Sequence, residues 1–123
     1  MKAVTSGEDT PCARLAAAQL EAYNAADLEG FLACYAEDAV VLDEAGAVTM
    51  QGREQMRERY GRLFSGFREI HANVEIRIAM GRHCIDHERW SRVSLETGER
   101  SEGEILVRYT QRAGLIAIAQ FLC

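Results

Sequence analysis

A chain of 123 residues, 48% hydrophobic and 27% charged, has ordinary globular composition and room for one domain with a buried core. That excludes a disordered tail, a collagen-like rod and a simple coiled coil, and no apolar run approaches the roughly 18 residues a membrane span requires. The net charge of −5, from 19 acids against 14 bases, offers no general attraction to a phosphate backbone, so neither nucleic acid nor membrane is an expected partner.

Residues 1–9 mix charge with small polar groups and lack the apolar segment of a secretory signal, so a flexible N-terminus on a cytoplasmic chain is expected, with a single domain over 10–123. Thr10-Pro11 opens a first helix, the hydroxyl capping and the proline sitting where no backbone donor is lost. Leu15, Ala16, Leu20 and Tyr23 mark its covered face, and Asn24 to Asp27 break it. Asp27 caps a second helix expected to reach about Tyr35, with Leu28, Phe31, Leu32 and Tyr35 on one side. Ala39–Leu42 and Val48–Met50 read as a short hairpin around Gly46. Gly52 begins a third helix with Met56, Tyr60, Leu63 and Phe64 on its apolar side, ended by Gly66.

The remainder alternates with a period of two, the pattern of strands covered on one face. Val74 to Ile78, Cys84 to Leu95, Glu102 to Gln111 and Leu115 to Leu122 form four antiparallel strands in a meander. Helices on one face of a long curved sheet make an α+β architecture, and a sheet curling around a helix leaves a pocket where side chains fail to meet. Cys12, Cys34, Cys84 and Cys123 have neither metal-binding nor disulfide-framework spacing and read as reduced thiols. His83 and His87 lie on one strand about 13 Å apart, too far for one ion, so no metal is expected. The chain has no phosphate-binding loop, nucleophile elbow or zinc helix motif, and no cofactor is expected.

The stretch Tyr23-Asn24-Ala25-Ala26-Asp27-Leu28-Glu29-Gly30-Phe31-Leu32-Ala33-Cys34-Tyr35-Ala36-Glu37-Asp38-Ala39-Val40, with Gly52-Arg53-Glu54, Gly81 to Glu88 and Gly114-Leu115-Ile116, resembles NTF2-like proteins. Within them it is most similar to the SnoaL-like polyketide cyclase and ketosteroid isomerase branch. The resemblance implies a cone-shaped curved antiparallel sheet packed on three N-terminal helices around a pocket. It also implies a small apolar, polyketide-like or steroid-like ligand and a homodimer formed through the sheet. In the isomerases an Asp base ends the first short strand, where Asp43 falls. A helix Tyr and a protonated strand Asp polarise the substrate carbonyl, and the matching positions here are Gln19 and Val107. Valine donates no hydrogen bond, and one lost oxyanion donor costs about 2.7–4 kcal/mol. The isomerase route is therefore disfavoured.

Asp43 follows Val40-Val41-Leu42, so an apolar strand could deliver a base to the pocket, or Asp43 could simply open the Gly46 turn. In Ile85-Asp86-His87-Glu88-Arg89-Trp90, alternation puts Ile85 and His87 on one face and Asp86, Glu88 and Trp90 on the other. If Ile85 points inward, His87 meets Asp43 as its acid–base partner; if Trp90 does, His87 is on an outer surface or a dimer interface. Gln19, Tyr23, Tyr60, Trp90, Val107 and Phe121 are the expected substrate-binding walls. The expected function is cofactor-free acid–base chemistry, of isomerase, cyclase or lyase type, on a small apolar carbonyl compound. The alternative is a non-catalytic ligand-binding or dimerising module.

Overall fold

The computed structural model describes the backbone of residues 4–6 and residues 10–123. Strand β1 (Val4–Ser6) precedes helices α1 (Pro11–Asn24) and α2 (Leu28–Leu32), strands β2 (Tyr35–Leu42) and β3 (Val48–Gln51), and helix α3 (Gly52–Gly66). Four long strands complete the chain: β4 (Phe67–Met80), β5 (His83–Ser94), β6 (Arg100–Arg112) and β7 (Leu115–Phe121). They form one sheet in the order β1-β4-β5-β6-β7-β2-β3. The flexible segment expected over 1–9 lies outside the described residues except at 4–6, which instead pair in parallel with β4.

Local chemistry sets the helix boundaries. The Thr10 hydroxyl accepts from the Ala13 N–H at 3.1 Å, and Asp27 accepts from the Gly30 N–H at 3.1 Å. A Cβ on Gly30 would lie 2.2 Å from the Asp27 carboxylate, so this cap needs glycine. Helix α2 ends at Leu32 rather than near Tyr35, because Cys34 bonds back to the Phe31 carbonyl while its own carbonyl accepts from Ile116 of β7. The chain is captured by the sheet one turn early. Strand β2 accordingly starts at Tyr35 and runs parallel to β7, so two of the sheet's pairings, this one and β1–β4, are not antiparallel.

Strand β4 begins at Phe67, earlier than the alternation suggests. A left-handed Glu69 (φ 52°) and two register shifts interrupt its period of two and bend the strand. The expected β4–β5–β6–β7 meander is present. At the bend Asn24 clamps α1 to β4 with two bonds, its Nδ2 donating to the Ala72 carbonyl at 2.9 Å and its Oδ1 accepting from the Ala72 N–H at 2.7 Å. Phe31, buried under α2, lies in an aromatic cluster with Tyr60 at 4.5 Å and Tyr35 at 5.1 Å between ring centroids. The opposite face of β4 leaves Ile76, Ile78 and Met80 exposed. Among the described residues no helix is long and apolar enough to cross a membrane.

Candidate functional site

The bent sheet and the three helices enclose a cavity of about 200 Å³. Its walls include Leu20 and Tyr23 of α1, Phe31 of α2, Tyr60 and Leu63 of α3, and Trp90, Ile105 and Phe121 of the sheet. Gln19, Tyr35, Glu88 and Tyr109 converge at one corner of it, and Arg92 also lines it.

Strand β5 supplies the acid. Cross-strand register places Cys84, Asp86 and Glu88 opposite Tyr109, Val107 and Ile105, and alternation carries this face on to Trp90 and Arg92. Asp86 and Glu88 are both buried, the former completely. Asp86 is matched by Arg77 of β4 through two bonds of 2.7 and 2.9 Å, a bidentate pair. Glu88 has no cation within ion-pair distance among the described residues. Burial, reinforced by the nearby Asp86 charge, pushes its carboxyl up to about 7, against smaller opposing effects from the Tyr109 hydroxyl and Arg77.

The Glu88 carboxyl ends a directional chain of hydrogen bonds. Gln19 Nε2 donates to the Ala16 carbonyl at 3.0 Å, which orients the amide. Gln19 Oε1 therefore accepts from the Tyr35 hydroxyl at 3.1 Å, and Nε2 donates its second proton to Tyr109 Oη, also at 3.1 Å. With its oxygen so engaged, Tyr109 turns its own proton to Glu88 Oε2 at 3.3 Å. Burial raises both tyrosine hydroxyls well above their ordinary range, so they remain protonated donors. Glu88 Oε1 has no protein hydrogen bond among the described residues and is the atom left for a ligand.

The sequence-predicted residues divide sharply. Gln19, Tyr23, Tyr60, Trp90 and Phe121 line the cavity. Val107 does not: it is fully buried in the core, in register with Asp86 and Phe121. Asp43 does not line the cavity either, since its Oδ1 accepts from the Ala45 and Ala47 N–H groups at 3.0 and 2.9 Å and closes the β2–β3 turn. His87 is on the outer sheet face, its Nε2 2.7 Å from Glu104 Oε1. The structure thus brings neither Asp43 nor His87 to the cavity, nor the two together. Glu88, Tyr109 and Tyr35 were missed as cavity residues. Their available signal was phase, since Glu88 and Asp86 alternate in step with Trp90.

His83 Nδ1 lies 3.0 Å from Thr110 Oγ1, and His87 is engaged with Glu104. Among the described residues no group of three or more His, Cys, Asp or Glu is placed to hold a metal ion.

A curved sheet roofed by helices over an apolar hollow with one polar corner is the NTF2-like α+β cone fold. The SnoaL-like domain pattern matches residues 16–119, and the chain belongs to that family. No curated protein matches it. Among solved structures, an uncharacterised cystatin-fold protein from Novosphingobium aromaticivorans is similar at a TM-score of 0.83 and 20% identity, over 89% of this chain and 96% of that one. A ketosteroid isomerase-like protein from Catenulispora acidiphila, solved with trimethylamine, has a TM-score of 0.74 at 18% identity, over 87% and 82% of the two chains. A candidate SnoaL-like polyketide cyclase from a Jannaschia species gives 0.77 at 14% identity, over 94% and 87%. At such identities the likeness is one of fold.

Proposed function

We propose that this protein binds a small, largely apolar carbonyl-type compound in the cavity and exchanges a proton with it through Glu88, in cofactor-free chemistry of isomerase, cyclase or lyase type. One observation carries the reading: a buried carboxyl on an otherwise apolar wall, pushed up to about 7, accepts from a tyrosine whose orientation is set by a glutamine. A base or acid works best when its pKa lies near the working pH. Glu88 meets that condition, and the Tyr109 bond holds Oε2 while Oε1 faces the ligand.

The polarity of the relay decides what it contributes. Tyr35, Gln19 and Tyr109 all donate toward Glu88, so they stabilise the carboxylate formed when a proton leaves it. Once Glu88 takes a proton from a substrate carbon, the same carboxyl returns it to a neighbouring position of the bound molecule. The apolar walls exclude water from that exchange. The complex of the Catenulispora acidiphila relative with trimethylamine is in keeping with a fold that accepts small organic molecules.

The test is hydrogen–deuterium exchange at the α-carbons of a panel of cyclic ketones and 1,3-diketones in D₂O, followed by NMR. The protein is expected to accelerate exchange of at least one compound, and Glu88→Gln to reduce that rate by about 10²–10⁴-fold. Equal rates in the two proteins overturn the assignment of Glu88. Binding with no exchange by the unaltered protein leaves the non-catalytic ligand-binding alternative.

A second reading concerns the outer face of the sheet. Ile76, Ile78 and Met80 project from alternate positions of β4 into solvent, a contiguous apolar stripe of the kind that marks a contact surface. We assign it to self-association of two copies. Sedimentation at micromolar concentration is expected to show a dimer that Ile78→Glu converts to monomer; a monomer before substitution overturns it.

A further inference from the structure

The cavity of the proposed reaction opens beside a second hollow of about 560 Å³ between α3 and the sheet, and the two share Val41, Tyr60, Leu63, Arg92 and Phe121. Their charges differ. The inner cavity holds the Glu88 carboxyl, the outer hollow holds Arg59 and Arg62 with no acidic residue in its lining, and Arg92 lines both. Arg62 is partly neutralised by Glu58 at 3.0 Å on the exposed side of the helix. Arg92 is not paired with any carboxylate among the described residues.

Arg92 stands at the junction and is built to stay there. Its guanidinium carbon is 4.4 Å from the centroid of the Phe67 ring and 4.9 Å from that of Trp90, so two aromatic faces fix the plane of the charge. Its Nε is buried and makes no hydrogen bond. Protein encloses Nε, so the terminal nitrogens are the ones left to meet an acceptor. A flat, pre-oriented guanidinium is the group best matched to the paired oxygens of a carboxylate or phosphate.

We infer that the natural ligand is an amphipathic acid, with an apolar body in the inner cavity and an oxyanion that meets Arg92 at its mouth. Glu88 and Arg92 occupy the same face of β5 four residues apart, a backbone separation of about 13 Å. Both side chains line the inner cavity, so one small molecule can meet Glu88 and Arg92 together. Arg59 and Arg62, on the exposed side of α3, add a field that draws such anions inward.

This inference rests on the ligand cavity proposed above, and its test separates the two. Binding of 4-phenylbutyrate, 3-phenylpropyl phosphate and the neutral 4-phenylbutyramide is measured by calorimetry and by the fluorescence of Trp90, the protein's one tryptophan, which lines the cavity. At least one anion is expected to bind about tenfold or more tightly than the amide, as one charge-assisted contact supplies. Preference for the carboxylate or the phosphate identifies which oxyanion the site takes. Arg92→Gln is expected to abolish the preference while leaving amide binding in place. Arg59→Gln with Arg62→Gln, both exposed positions, is expected to weaken anion binding and its salt dependence without affecting the amide. Equal binding of anion and amide overturns the inference and leaves the cavity intact, as does an anion preference that survives Arg92→Gln. Failure of all three compounds to bind removes the cavity reading, and the inference with it.

Discussion

Gln19 stands between two buried tyrosines, accepting from Tyr35 and donating to Tyr109 at 3.1 Å on either side. A single amide thereby orients two hydroxyls that have no backbone partner among the described residues. Gln19→Leu leaves the buried Tyr35 hydroxyl without its acceptor, at a cost of about 1–3 kcal/mol, and takes one donor from Tyr109, which keeps its bond to Glu88. Urea unfolding is expected to show a loss in that range or above it. A loss below about 0.5 kcal/mol, the usual scale of a surface substitution, contradicts the relay.

Glu88 makes stability depend on pH in an unusual direction. Its carboxyl titrates at about 7 in the folded protein against 4.5 for the ordinary group. Between those values the folded state holds the proton that the unfolded chain has released, so stability falls as pH rises. The contribution is fully present below pH 4.5 and is lost through pH 7, amounting to roughly 3 kcal/mol. Glu88→Gln keeps an acceptor for Tyr109 without the charge. Relative to that variant, the unaltered protein is expected to lose stability from pH 4.5 to 8; parallel curves would refute the buried carboxyl.

Asp86 and Arg77 answer a different question. Removing Arg77 alone leaves a fully buried carboxylate unpaired, at an expected cost of about 3–5 kcal/mol. Replacing both by apolar residues, Arg77→Met with Asp86→Leu, is expected to recover most of that loss. In Asp86→Asn the Glu88 carboxyl is expected to titrate lower, because the negative charge that helps to raise it has gone. NMR titration of Glu88 measures this shift directly.

Gly103 lies opposite Trp90 across the β5–β6 ladder. A Cβ there would meet the indole at 2.9 Å from Cζ2 and 3.0 Å from Cε2, and the rigid ring must move. Gly103→Ala is expected to destabilise the fold by about 1–3 kcal/mol, as overpacking does, and to shift Trp90 emission. Unchanged emission and stability would show that the indole does not rest on that glycine.

The helix starts and the four-strand meander were legible because local chemistry determines them. Thr10-Pro11 and Asp27 cap their helices as the side chains dictate, and the four long strands alternate strongly enough to be counted. The early end of α2 was not legible, since the β2–β7 pairing that stops it joins residues some eighty positions apart. Tyr23, Tyr60 and Phe121 reach the cavity because an apolar face must be buried and the hollow lies under those faces. Asp43 failed as a cavity residue for the opposite reason: two N–H groups of its own turn claim its carboxylate.

The decisive ambiguity was the phase of β5. Alternation states that Ile85 and His87 lie opposite Asp86, Glu88 and Trp90, and this much belongs to the sequence alone. Which set looks inward depends on the sheet's bend and on what α1 and β6 offer. Tyr109, oriented by Gln19, bonds the buried Glu88, and Arg77 pairs with Asp86, so both acids have partners on the inward face. Those partners come from three other elements, and only their convergence in space turns a polar stretch of strand into the floor of a cavity.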